Sequence, residues 1–140
     1  MRKSVVLLAA VIGMAPISCQ ASEVLPPEEA NAFAAEIDEV VDDTLEGLSE
    51  GDYEKHVQGF DDELRDEIDP IVAFPQVYDE IMTTFGRYES RDLVRVEDRG
   101  RFRTVIYNAT FTKDPSVTVR VVFWRSDPEH RISALTIEPD

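Results

Sequence analysis

The hydrophobic period of this chain changes once, at Gly86, and that change limits the folds open to it. Before Gly86, apolar residues recur at helical spacing. Phe33, Ile37, Val40, Val41, Leu45 and Leu48 form one stripe, and Glu36, Asp38, Glu39, Asp42, Asp43 and Glu46 fill the remaining surface. Pro27 suits a first helical turn and Gly51 a stop. Asp52 reads as the N-cap of a shorter helix with Tyr53, Val57 and Phe60 inward. Asp61–Asp69 reads as a further acidic turn or two ended by Pro70, and a last helix starts near Pro75 and closes at Gly86. After Gly86 the period becomes two. Strands are expected over Tyr88–Val96, Phe102–Thr112, Val117–Arg125 and Arg131–Glu138, joined by short turns. Helices first and strands afterwards predict a segregated α+β domain, with N-terminal helices packed on a curved four-stranded antiparallel sheet.

The N-terminus has a different character. Arg2 and Lys3 precede thirteen uncharged residues, Val5–Ile17. As a helix these would reach about 20 Å, short of the roughly 30 Å hydrocarbon core, and Pro16 near the end suits a cleaved leader. Pro16-Ile17-Ser18-Cys19 is similar to a prokaryotic lipobox, in which the cysteine takes the lipid and becomes the mature first residue. Pro16 departs from that pattern, since an aliphatic residue usually stands there. The division expected is a lipoprotein-type signal over 1–18, a tether over 19–27 and one domain over 28–140. Cys19 is the candidate lipidation site, and an extracytoplasmic, membrane-anchored location follows. Cleavage after Ala21 would instead give a secreted protein.

Charge divides at the same boundary as the period. Residues 19–140 carry 12 Lys+Arg and 29 Asp+Glu, a net of −17; residues 19–86 alone hold −18 and residues 87–140 hold +1. Such a balance excludes nucleic acid as a partner, because approach to phosphates would be uphill. A single cysteine excludes an internal disulfide framework.

Several segments occur in an order that resembles an uncharacterised extracytoplasmic "domain of unknown function" lipoprotein family of the cystatin-like, nuclear-transport-factor-two-like superfamily. They are Leu48-Ser-Glu-Gly-Asp-Tyr53, Phe60-Asp61, Phe85-Gly-Arg-Tyr88, Val117-Thr-Val-Arg-Val-Val-Phe123 and Ile132-Ser-Ala-Leu135. The resemblance spans about Ala30 to Glu138 and implies helices seated in the concave side of a sheet, a cystatin-like cone. It brings no catalytic residues, and fold alone does not set function.

Catalytic chemistry finds little support in the residues. His56 and His130 are the only imidazoles, no nucleophile elbow occurs, and no pair of metal-ligand motifs is present, so no cofactor or metal is expected. Asp61–Asp69 holds six carboxylates in nine residues but lacks the alternation of a calcium loop. Tyr107, Arg120 and Trp124 are the candidate pocket residues; Arg120 and Trp124 share one strand face, four positions apart in a period of two. The function expected is a lipid-anchored binding or accessory module for a protein, peptide or small ligand. The alternative is a small-molecule isomerase or hydratase, with Asp79 as base and Tyr107 as oxyanion donor. A homodimer packed through its sheets is compatible with either.

Overall fold

The computed structural model describes residues 21–140 in full and the backbone of Val5–Leu7. Four helices precede the main sheet: α1 (Pro27–Glu50), α2 (Tyr53–Val57), α3 (Asp62–Glu67) and α4 (Ala73–Thr84). The apolar stripe explains how α1 packs. Ala30, Phe33, Ile37, Val41, Leu45 and Leu48 are all buried, and its acidic residues ring the exposed surface. Asp52 caps α2 by accepting from the Lys55 N–H, and Asp61 caps α3 by accepting from the Leu64 N–H. Asp61 thus stands just outside the helix that the sequence was expected to start there. α4 begins two residues ahead of Pro75, because the Asp69 carboxylate receives the N–H groups of Ile71, Val72 and Ala73 and shapes the entry. Those hydrogen bonds, that from Val72 foremost, hold the Asp69 pKa below its usual range. Gly86 closes α4 with φ 82°, its N–H reaching the Ile81 carbonyl at 3.0 Å.

The strands are β1 (Val5–Leu7), β2 (Glu23–Val24), β3 (Tyr88–Arg99), β4 (Phe102–Phe111), β5 (Asp114–Trp124) and β6 (Ile132–Pro139). They form one antiparallel sheet in the order β1-β6-β5-β4-β3-β2. The four long strands are those expected. The count of four is corrected by β2 on one edge and β1 on the other, pairings too short to register as a period. β1 falls within the stretch read as a leader and pairs Val5 with Ile137. Of the stretch read as a tether, Glu23 and Val24 pair with β3, and the Leu25 N–H reaches the Val96 carbonyl at 2.9 Å while its side chain is buried. Cys19 lies outside the described residues.

One core joins the two layers. Val119, Val121 and Phe123 of β5 are buried together with Ile37 and Val41 of α1, and Phe33 meets Phe123 edge-on at 5.6 Å. The helical half is also stitched to β6 through backbone: Asp61 N–H donates to Ile132 O, and Ile132 N–H donates to Gly59 O.

Candidate functional site

A cleft of about 440 Å³ opens between the first half of α1 and the inward faces of β3 and β4. α1 contributes Ala34, Ala35 and Asp38, because these positions flank the buried stripe. β3 contributes Arg91 and Leu93, which stand opposite Ala109 and Tyr107 of β4 and so face the helix with them. A bulge between Leu93 and Arg95 then resets the alternation, leaving Val94 exposed and returning Val96 to the core.

Arg91 organises this cleft. Its side chain is only 6% exposed, and Nη2 donates to Asp38 Oδ1 at 2.5 Å. Nη1 donates to Asp42 Oδ1 and, at 2.8 Å, to the Tyr88 hydroxyl. Its guanidinium lies over the Tyr107 ring, 5.0 Å from the centroid. Burial opposes the charge on Arg91, but the hydrogen bonds to Asp42 and Tyr88 outweigh it and raise its pKa. Two carboxylates around one guanidinium leave the cluster with a net negative charge.

Tyr107 is the unusual member. It is 4% exposed, and its hydroxyl has no hydrogen-bond partner of ordinary geometry. Burial raises its pKa, so the phenol stays protonated at neutral pH. A buried hydroxyl left without a partner costs on the order of 1–3 kcal/mol, and a ligand in the cleft is one way to recover it.

The three pocket residues expected from sequence do not gather in one place. Tyr107 lies opposite Val119, whereas Arg120 lies opposite Ile106 and Trp124 opposite Phe102, so Arg120 and Trp124 occupy the other face of the sheet. Arg120 pairs with Glu138 rather than with the indole. Trp124 meets Phe102 in a tilted contact, ring centroids 4.4 Å apart, and borders a shallow acidic cleft with Asp61, Asp62 and Asp127. Asp79 is exposed on α4 and does not line the cleft that holds Tyr107. His130 is half-buried, edge-on to Phe33 at 5.2 Å and 3.7 Å from Glu36, and His56 is wholly buried.

Sequence reasoning missed Arg91, Tyr88 and Asp38. The signal was present: Arg91 stands two residues before Leu93, on the face of β3 that should be apolar. Among the described residues no cluster of His, Cys, Asp or Glu is arranged to hold a metal ion, and no helix is long and apolar enough to cross a membrane.

No family model, curated protein or solved structure matches the chain.

Proposed function

We propose that this protein is an extracytoplasmic, lipid-anchored binding module of cystatin-like cone type, whose ligand enters the cleft between α1 and the β3–β4 face. The observation that carries the reading is the buried Tyr107 hydroxyl, which has no hydrogen bond of ordinary geometry and only the Arg91 guanidinium near it, itself already matched by two carboxylates. The arrangement favours binding over proton transfer. Asp38 and Asp42 are both engaged by Arg91, and neither stands free to act as a general base. It also selects the ligand's charge. With Arg91 matched by two carboxylates, an anion would meet net repulsion, so the ligand is a small molecule without negative charge that hydrogen-bonds to the phenol and lays an apolar edge on Ala34, Ala35 and Leu93.

A thermal-shift screen of neutral polyols, sugars and amides tests the cleft. A compound that stabilises the wild type and loses at least most of that shift in Tyr107→Phe supports the reading. Stabilisation unchanged in Tyr107→Phe refutes the site. The anchor is tested separately: Cys19→Ser should move the protein out of the membrane fraction and abolish incorporation of labelled fatty acid.

A further inference from the structure

The turn between β3 and β4 differs in charge from the rest of the molecule. Register pairs Arg99 with Phe102, so Gly100 and Arg101 form a two-residue hairpin loop. Gly100 has φ 58° while Arg101 stays at negative φ, the pattern of a type II′ turn with glycine in its first central position. That tight reversal holds Arg99 and Arg101 outward at the end of the sheet, both exposed. The neighbouring arginines are taken: Arg103 by Asp98, Arg125 by Asp98 and the Gly100 carbonyl, and Arg95 by Glu97. Arg99 and Arg101 make no ion pair among the described residues. Beside them stands an aromatic pair, Phe102 and Trp124, both only half-buried. Glu23 on β2, together with Asp61, Asp62 and Glu63 beside Trp124, bounds this basic patch.

The path of the chain gives the turn its meaning. β2 pairs Glu23 with Asp98, one residue before Arg99. Cys19 is four residues earlier, and four residues span at most about 14 Å when fully extended. A lipid on Cys19 would therefore hold this end of the sheet against the bilayer surface. Arginine with tryptophan and phenylalanine is the composition that suits the headgroup region.

We propose that the Arg99-Gly100-Arg101 turn, with Phe102 and Trp124 beside it, is a membrane-surface contact that binds anionic lipid headgroups and fixes the orientation of the anchored domain. This rests on the lipid anchor proposed above. Net charge argues against adsorption of the free chain. Tethering removes that objection, because the domain is already at the surface and only its orientation remains to be chosen.

Trp124, the only tryptophan, supplies the readout. Full-length protein is purified from membranes and reconstituted into vesicles of phosphatidylcholine, with or without phosphatidylglycerol, carrying a trace of headgroup-nitroxide lipid. Quenching of Trp124 should be strong only with phosphatidylglycerol. It should fall to the neutral-vesicle level in about 1 M NaCl, where the Debye length is about 3 Å. The double variant Arg99→Glu/Arg101→Glu should show the same fall with an unchanged melting curve. Equal quenching in neutral and anionic vesicles, or full quenching in the double variant, overturns the contact. Labelled fatty acid separates this from the anchor. If Cys19 carries none and the protein ignores anionic vesicles, both fail; if it carries none yet binds them through the two arginines, the contact stands without the anchor.

Discussion

The Nδ1 of His56 lies 2.7 Å from the carbonyl oxygen of Thr44, across the junction of α1 and α2. The contact is close because position 47 is glycine: a Cβ there would lie 2.5 Å from the His56 backbone nitrogen. His56 is fully buried between the rings of Phe60 and Phe74, and its Nε2 has no partner. The Thr44 carbonyl can only accept, so Nδ1 carries a proton and donates to it.

Burial pushes the His56 pKa down to about 4, with the Thr44 carbonyl a lesser, opposing influence. The unfolded chain therefore binds this proton more readily than the folded one, and stability falls as pH drops from the unfolded value near 6.5 towards 4. The loss contributed by this group reaches about 3 kcal/mol once both pKa values are passed. Urea unfolding at several pH values, compared between wild type and His56→Phe, checks it. The difference between the two should shrink or reverse as the medium becomes acidic, whereas a pH-independent difference would show that the ring titrates normally.

Replacing Arg91 with alanine should cost roughly 2 kcal/mol of stability, since it removes charge-assisted hydrogen bonds to Asp38, Asp42 and Tyr88 together. Lysine should recover only part of this, because one ammonium cannot reproduce the planar fork. Chemical denaturation of the two variants gives the order directly.

Phe123→Ala should destabilise by roughly 3–5 kcal/mol, as Phe123 is 1% exposed and meets Phe33 edge-on at the centre of the layer contact. Trp124→Ala, on the other face of the same strand, should cost clearly less. A reversed order in equilibrium unfolding would mean that the strand faces are exchanged.

Stability should rise with added NaCl, because among the described residues most carboxylates of the helical half have no ion-pair partner. Arg91 pairs with α1, Arg103 lies over Phe33 of α1 but is bound to Asp98, Arg95 pairs within the sheet, and Lys55 and Arg65 pair with Glu46, Glu50 and Glu54. Screening relieves that repulsion. CaCl₂ at matched ionic strength should do no more than NaCl, and Asp61→Asn/Asp62→Asn/Asp66→Asn should not change the comparison. A larger response to millimolar Ca²⁺, lost in that variant, would reveal a cation site.

The helices and long strands were legible because each shows its period in apolar residues: Ile37, Val41, Leu45 in one, Val119, Val121, Phe123 in the other. Caps were legible at Asp52 and Gly51 for the same local reason. The site was not. Whether Tyr107 shares a face with Arg120 depends on the register between β4 and β5, which no single strand encodes, and the register places them on opposite sides. Arg91 was hidden because a period search counts an arginine as outward. Its place against α1 follows from two aspartates one helical turn apart, Asp38 and Asp42, more than forty residues earlier.

The division of labour between the layers sets an order of events. Every long strand pairs with its neighbour in sequence, so the sheet assembles from local hairpins. α1 completes its packing only with it: Ile37 and Val41 share one core with Val119, Val121 and Phe123, made some eighty positions later. A chain that emerges N-terminus first presents the apolar stripe of α1 long before its cover exists, the state in which chains stick to one another. The dense carboxylates around that stripe put like charge on every copy, and like charge opposes such association before the cover forms as it does after.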